Sequence, residues 1–442
     1  MAPALPVPPR PRSPALLSVA AACALACGDA GSAEASDPGT GAGPTSGDPP
    51  TSASGEPSTA GSSGPAATAP TTAGEATSET TGAGPTTAAT DADATAASGE
   101  DSSTGAPAKC PPVSPTASAV CVEGRQLLVG RRVDGALAPV QPYAIEGVCW
   151  APTSIGEANT MGYADYYVQY GGLDAPLIEA LGANTLKTYD PFAQTPEALA
   201  LLDDLHARGI MVAMSVIVYH GDAGPKNYLA AVDYFKDHPA ILMWIVGNEF
   251  NYNNMYGAPD LDAATVIVND AIAAIHAADP DHPVAVGHGE VPTPERYAAV
   301  PDADIWAINL YPALDLESRF VAWPGLSDKP MFVSEYGADA FNNMTDAEDQ
   351  AAQAEATEVL TLQIGDHLSA DDPRRACLGG TIYALTDEWW KAEGPIDQHD
   401  NGGFPGGVHP DGFANEEWWG LMDVARTPRQ AYTALQAIYG AP

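Results

Sequence analysis

The chain from about residue 143 onward alternates short apolar runs with longer runs that are apolar on one face only. The apolar runs are, in chain order, IEGVCW, NTLKTYD, IMVAMSVIV, ILMWIVGNE, HPVAVGHGE, IWAINLYP, PMFVSEYG and GGTIYALTDEWW. The intervening runs predict helices near 175–181, 196–208, 228–236, 263–278, 294–299, 314–322, 347–367 and 428–439. Strands that are apolar at nearly every position are typical of parallel sheets covered by helices. Eight strand–helix units predict a (β/α)8 TIM barrel over residues 143–442.

The main alternative to a barrel is an open, doubly wound sheet that binds a dinucleotide. Such a sheet needs a GxGxxG turn after its first strand, and GVCWAPTSIGE does not contain one. Ahead of the barrel, the turn signal Asp134-Gly135 separates QLLVGRR from PYAIEGVCW. A small hairpin is therefore predicted in residues 109–142.

The first residues have the layout of a secretory signal. Arg10 and Arg12 precede the apolar run PALLSVAAACALA, which is too short to span a bilayer. The sequence ending in Cys27, ALAC, resembles a bacterial lipobox, although Leu is expected where Ala24 stands. Residues 1–27 are therefore interpreted as a lipoprotein signal peptide, with Cys27 lipidated and the protein exported to the bacterial cell surface or periplasm. The alternative is a soluble export signal cut nearby and a secreted protein.

Residues 28–108 contain no Lys, Arg or aromatic residue and consist almost entirely of Gly, Ser, Thr, Pro, Ala, Asp and Glu. Such a segment buries too little apolar surface to offset its ordering entropy, which predicts a long disordered linker. It is either a flexible tether or a Ser/Thr-rich stalk that carries O-linked sugars, and the sequence does not separate the two.

The charge balance limits the partners. A formal net charge of -39 argues against nucleic acid and anionic polymers and favours a neutral substrate. Contact with a membrane is expected only through the lipid at Cys27, and the protein is expected to be a monomer.

The cysteines predict one disulfide, because Cys110 and Cys121 close a short loop in an exported protein. Cys149 and Cys377 fall on the first and eighth predicted strands, which are neighbours in a closed barrel. They either pair or remain two buried thiols. No CxxC or His-rich spacing indicates a metal, and no cofactor is expected.

The chemistry is expected where the strands end, since barrels of this kind place their working residues at the C-terminal rim. The residues at the predicted strand ends are Trp150; Lys187, Tyr189 and Asp190; Tyr219 and His220; Asn248 and Glu249; His288 and Glu290; Asn309 and Tyr311; Glu335 and Tyr336; and Asp387, Glu388, Trp389 and Trp390. Two carboxyl groups on opposite faces of one bond are what glycoside cleavage requires. Aromatic rings bind the apolar faces of sugars, and amide, His and Tyr side chains bind their hydroxyl groups. GxSxG, HExxH and P-loop motifs are all absent from the sequence.

Two of these strand ends carry a family resemblance. WIVGNE together with SEYG resembles clan A of the glycoside hydrolases, which are retaining (β/α)8 enzymes with an acid/base after Asn on the fourth strand and a nucleophile on the seventh. NTLKTYDP, GNEF and SEYG are most similar to the barrels of family 2 and of the β-1,3-glucanosyltransferases of family 72. The resemblance covers roughly residues 123–440.

The resemblance implies a role for each matching residue. Glu249 is the acid/base, Glu335 is the nucleophile, and Asn248 binds the 2-hydroxyl of the sugar. Tyr311 hydrogen-bonds the nucleophile, and Trp389 forms the aromatic floor of the sugar site. The sequence departs from the pattern at Lys187, where many clan members carry Arg, so the bidentate contact to the nucleophile is lost.

Further residues at the rim are weaker candidates. Tyr189, His288 and Trp150 are assigned to substrate binding with Lys187. Asp387 and Glu388 form either a second acidic pair or structural ion pairs. The tyrosines at positions 166, 167 and 170 line outer subsites or pack a long first loop.

The sequence thus predicts a retaining glycoside hydrolase that acts on a neutral polysaccharide or oligosaccharide, with β-glucan favoured. Two alternatives are a transglycosylase that uses the same site and a carbohydrate-binding surface lipoprotein with weak turnover.

Overall fold

A computed structural model describes residue 110 and residues 112–158, 162–221, 227–252, 257–391 and 394–440. The strands are β1 (Ala119–Glu123), β2 (Gln126–Gly130), β3 (Arg132–Val133), β4 (Ala136–Leu137), β5 (Gln141–Pro142), β6 (Ile145–Cys149), β7 (Thr185–Lys187), β8 (Met211–Val216), β9 (Ile241–Val246), β10 (Val284–Gly289), β11 (Ile305–Asn309), β12 (Met331–Tyr336), β13 (Phe341–Asn342), β14 (Ala347–Glu348), β15 (Cys377–Ile382), β16 (Gly403–Pro405) and β17 (Phe413–Asn415). The helices are α1 (Ala164–Leu181), α2 (Pro196–Ala207), α3 (Tyr228–Phe235), α4 (Leu261–Ala278), α5 (Pro294–Ala299), α6 (Glu317–Leu326), α7 (Gln350–Gly365) and α8 (Gln430–Tyr439). The predicted signal peptide with Cys27 and the predicted linker at 28–108 lie outside the described residues.

Eight parallel strands, β6 to β12 and β15, close into a barrel in which β15 pairs with β6. These are the eight strands predicted from the apolar runs, and the predicted (β/α)8 TIM barrel is confirmed. β8, β9, β10, β11, β12 and β15 are buried at every position. That burial is the physical reason why these runs carry no alternation of polar and apolar residues.

A β-hairpin closes one end of the barrel. β1 pairs antiparallel with β2, and β2 pairs with β5. Val120, Leu127 and Val129 of this hairpin belong to one apolar cluster with Met211 and Ile145, the first residues of β8 and β6. The hairpin therefore covers the N-terminal ends of the strands and leaves the C-terminal rim for the site. The Asp134-Gly135 turn joins β3 to β4, with both residues in the left-handed region at φ 50° and 76°.

The first helix differs from the prediction. It begins at Ala164 rather than near residue 175, and both Gly171 and Pro176 lie inside it. A Cβ at Gly171 would lie 2.4 Å from Leu201 Cδ1 of α2, so the glycine permits close packing of the two helices. The three tyrosines of the expected first loop are helical residues, and Tyr167 is fully buried.

The cysteines of the described region fall into two groups. Cys110 and Cys121 form a disulfide with their Cα atoms 5.8 Å apart. Cys149 and Cys377 are free and buried, and each thiol contacts backbone carbonyls, Cys149 that of Ser334 at 3.4 Å and Cys377 that of Gly379 at 3.5 Å.

Candidate active site

Glu335 is a carboxylate held by three donors. It lies on β12 and is 6% exposed. Its Oε1 accepts hydrogen bonds from Lys187 Nζ and from the Tyr189 hydroxyl, both at 2.8 Å. Its Oε2 accepts from the Tyr311 hydroxyl at 2.8 Å. Burial alone would raise the pKa of Glu335, but the charge of Lys187 and the three hydrogen bonds hold that pKa below its usual value. Glu335 is therefore ionised and is oriented as a nucleophile must be.

Glu249 has the opposite electrostatic setting. It follows β9 and has a left-handed backbone at φ 50°, a conformation that residues other than glycine rarely adopt. Its Oε1 accepts a hydrogen bond from Asn309 Nδ2 at 3.1 Å. Burial and then the negative charge of Glu335 raise the pKa of Glu249 to about 7. Two neighbouring carboxyl groups whose pKa values are driven apart are the usual basis for separate acid and nucleophile roles.

Asn309 links the two glutamates. It ends β11, where it is the register partner of Glu335 on β12. Its Nδ2 contacts both Glu249 Oε1 at 3.1 Å and Asn248 Oδ1 at 3.2 Å, and its Oδ1 accepts from Ser334 Oγ at 2.7 Å. The sequence pattern predicts Asn309 at the rim but gives it no role. The signal for a role is an amide at the end of a wholly apolar strand.

Lys187, the departure from the family pattern, lies at the centre of the site. Its side chain is 1% exposed and lies over the ring of Tyr189, with Nζ 4.4 Å from the centroid. Besides Glu335, Nζ reaches Asn248 Oδ1 at 3.4 Å. Asn248 Oδ1 therefore accepts from Lys187 and Asn309 together, which fixes the orientation of the Asn248 amide.

An aromatic wall surrounds the two tyrosines that donate to Glu335. Tyr383 comes directly after β15, and its ring centroid lies 6.2 Å from that of Tyr189 and 5.7 Å from that of Trp419. Trp419 in turn lies 4.9 Å from Tyr311. Tyr383 was not among the predicted site residues, although it is the first aromatic residue after the eighth strand.

Trp389, the predicted sugar floor, belongs to a different aromatic group. Its ring stacks on His399 at 4.9 Å, and His399 stacks on Trp418 at 3.7 Å. The role of Trp389 in sugar binding stays a prediction.

The enclosed position of Trp150 does not support the expectation that it binds substrate. Trp150 is 0% exposed, and its Nε1 donates to Asp174 Oδ2 at 2.8 Å inside the protein. Asp174 also forms an ion pair with Arg426. With no surface left to present to a ligand, Trp150 anchors α1 to the barrel.

His288 is a packing residue in this structure. It is 4% exposed, and its ring lies between Phe250 at 5.4 Å and Trp306 at 5.6 Å. Its Nδ1 donates to the carbonyl of Glu290 at 2.8 Å. Burial lowers the pKa of His288 to about 4, so the ring is neutral. The expected contact with a sugar is not supported by this enclosed position.

Among the described residues, no group of three or more His, Cys, Asp or Glu side chains is placed to hold a metal ion. What the site assembles is a proton-carrying carboxyl beside a positioned carboxylate, with amide, ammonium and phenol groups around them. That set of groups is suited to acid-assisted displacement at an acetal carbon.

The comparisons with known proteins agree with this geometry. Residues 226–365 match the family model described as "Glycosyl hydrolases family 2, TIM barrel domain". The resemblance to the clan A glycoside hydrolases is confirmed. The matched segment includes both Glu249 and Glu335.

The curated relatives match this chain over only part of their own length. The β-glucuronidase of Rattus norvegicus is 27% identical over 241 residues, which cover 48% of this chain and 34% of that protein. The β-glucuronidase of Felis catus is 25% identical over 289 residues, 58% of this chain and 42% of that protein. The chain thus spans less than half the length of these relatives.

Solved structures with similar folds carry related names. A β-D-glucuronidase of Dictyoglomus thermophilum is 18% identical with a TM-score of 0.49, covering 74% of this chain and 54% of that one. A Bifidobacterium dentium β-glucuronidase is 18% identical with a TM-score of 0.48, covering 74% and 50%. Because these scores are low, the fold assignment depends on the closed barrel itself.

Proposed function

We propose that the chain is a retaining β-glycosidase. The observation that carries the proposal is the pairing of ionised Glu335, held by three donors, with Glu249, whose pKa of about 7 keeps a proton available. Glu335 attacks the anomeric carbon while Glu249 transfers its proton to the leaving oxygen, so that the glycosidic bond breaks as the ester forms. Water then gives a proton to Glu249 and attacks the same carbon, which frees Glu335.

The comparisons favour a β-glucuronide as the substrate class. The curated relatives are named β-glucuronidases, and they give no support to the β-glucan expected from the sequence. A β-glucuronide is therefore the first substrate to test.

One feature of the site favours a neutral glycoside as a second candidate. The charge of Glu416 adds to that of Glu335 in raising the pKa of Glu249. Lys391, whose side chain is 22% exposed, is already paired with Glu388 and Glu416 at 3.4 and 3.7 Å. A sugar carboxylate would enter a field that is already negative.

The experiment is a matched panel of aryl β-glycosides: the glucuronide, glucoside, galactoside and mannoside, with Glu335→Ala as the control. Turnover that disappears in the control supports the proposal, and the ratio of kcat/KM values between the glucuronide and the neutral sugars identifies the class. Sugar binding without turnover of any aryl glycoside or polysaccharide would instead indicate a carbohydrate-binding protein. Product analysis with an added acceptor sugar separates hydrolysis from transfer.

A further inference from the structure

Glu388 is a buried carboxyl group that the proposed reaction does not use. It is 3% exposed and lies in the loop after β15. Its Oε1 accepts hydrogen bonds from the Tyr163 hydroxyl at 2.5 Å and from Trp390 Nε1 at 3.2 Å. Its Oε2 accepts from the Tyr383 hydroxyl at 2.5 Å and faces Lys391 Nζ at 3.4 Å. A group enclosed by this many donors binds its own neighbours rather than a ligand.

The two phenols on Glu388 flank the tyrosine that holds the nucleophile. The ring of Tyr163 lies 6.0 Å from that of Tyr189, and the ring of Tyr383 lies 6.2 Å from it in an edge-to-face arrangement. Tyr189 donates to Glu335 at 2.8 Å. One carboxyl group therefore fixes both rings between which Tyr189 is packed.

A second route leads from Glu388 to the other side of the nucleophile. Tyr383 also packs on Trp419, and Trp419 packs on Tyr311, which donates to Glu335 Oε2 at 2.8 Å. Tyr189 thus packs against two rings that Glu388 binds directly. Tyr311 packs against Trp419, which contacts one of those rings, Tyr383.

We infer that Glu388 is a positioning residue that fixes Tyr163 and Tyr383 and thereby aims the Tyr189 hydroxyl at Glu335. The inference rests on the proposed function. Without Glu388, the hydroxyl groups of Tyr163 and Tyr383 lose the buried carboxylate to which they donate, and the loss of these hydrogen bonds is costly enough for the rings to shift toward other partners. Tyr189 would then lose the walls that set its orientation. A displacement of about 1 Å in an oriented catalytic group costs roughly a hundredfold in rate.

The test uses Glu388→Met, which keeps the length of the side chain and removes both acceptors, in a double-mutant cycle with Tyr189→Phe. Glu388→Met is expected to lower kcat about tenfold or more in the wild-type background and less than about twofold in the Tyr189→Phe background. Glu388→Gln, which retains one acceptor, should restore part of kcat. Equal losses in the two backgrounds, or a lower Tm with kcat per folded molecule unchanged, would overturn the inference.

The matched control is Asp387→Asn, a neighbouring buried carboxyl that binds Arg429 and the amide of Gly420 instead of the tyrosines. Its effect on kcat should combine independently with that of Tyr189→Phe. A readout without turnover separates the inference from the proposed function. In a crystal structure of the Glu388→Met variant the Tyr189 hydroxyl should have left Glu335, and an unchanged hydrogen bond would refute the positioning role even if the wild-type enzyme is active.

Discussion

Lys187 Nζ lies 2.8 Å from Glu335 Oε1 in an ion pair whose side chains are 1% and 7% exposed. Burying two charges costs several kcal/mol of desolvation per ion, so such a pair is weak evidence for stability. Its value lies in what it does to Glu335, because the ammonium keeps the nucleophile ionised where burial would protonate it. A single ammonium achieves this without the bidentate contact that Arg would supply.

Replacing Lys187 with Met should therefore raise the pKa of Glu335. Because turnover needs the ionised nucleophile, the acidic limb of the pH profile of kcat/KM should move to higher pH. We expect kcat to fall by about 10² or more, as when one preorganised electrostatic partner is removed. Lys187→Arg keeps the charge and should leave the limb close to its original position. An acidic limb that does not move in Lys187→Met would show that another group sets the charge of Glu335.

The basic limb should come from Glu249. Its pKa is raised to about 7, first by burial and then by Glu335, and only the protonated form can donate to the leaving oxygen. Activity on a poor leaving group should fall as pH rises through about 7. The pKa of Glu249 itself, measured by NMR titration, should fall when Glu335 is changed to Gln, because that substitution removes the second cause of the shift.

Leaving-group dependence distinguishes the two glutamates. Glu335→Ala should abolish turnover of every substrate, since each needs the nucleophile. Glu249→Ala should lose about 10² to 10⁴ on alkyl glycosides and much less on activated aryl glycosides, which leave without a proton. Equal losses on the two substrate types in the Glu249 variant would contradict its assignment as the acid.

The apolar runs predicted all eight strands because a parallel strand buried on both faces leaves a continuous signal in the sequence. The prediction placed the start of α1 near residue 175, eleven positions too late. Gly171 has a low helix propensity and is accommodated in the helix by close packing against Leu201 of α2, a contact that no local pattern indicates. The local sequence pattern therefore predicts where strands end, but it does not predict packing between residues that are distant in the chain.

The same limit applies to the site. Glu249, Glu335 and Tyr311 could be predicted from the sequence because they lie at strand ends within recognisable motifs. Trp150 also follows a strand, but its indole N–H donates to Asp174, 24 positions further along the chain. No local pattern indicates that contact. Glu388 also accepts a hydrogen bond from Tyr163, 225 positions away, and no local pattern indicates that the closed barrel brings these two residues together.

Asp174 should be important for stability rather than for activity. Its side chain is 0% exposed and satisfies both Trp150 Nε1 and the Arg426 guanidinium. Asp174→Ala leaves a buried cation and a buried indole N–H without their acceptor, and we expect a loss of about 3 to 5 kcal/mol in the free energy of unfolding. Asp165→Ala, an exposed carboxylate in the first turn of the same helix, is the matched control and should change Tm little. The free energy of unfolding of both variants is measured by urea unfolding. Similar decreases in the two would show that Asp174 has no special role in stability.

The stereochemical outcome follows from how the barrel places the two carboxyl groups. Asn309 hydrogen-bonds Glu249 and is the register partner of Glu335, so both glutamates lie beside the same residue at the mouth of the barrel. In a retaining enzyme the carboxyl groups are about 5 to 5.5 Å apart, too close for an intervening water, whereas inverting enzymes need about 6.5 to 9.5 Å. The coupling by which Glu335 raises the pKa of Glu249 favours the short distance, because this coupling weakens as the two carboxyl groups separate.

Attack by Glu335 forms a covalent ester and cancels its charge, which lowers the pKa of Glu249 and lets it act as the base for the second displacement. The first sugar released from a β-glycoside should therefore be the β-anomer. Proton NMR of the reaction within the first minutes measures this before mutarotation, and an initial α-anomer would rule out the double displacement.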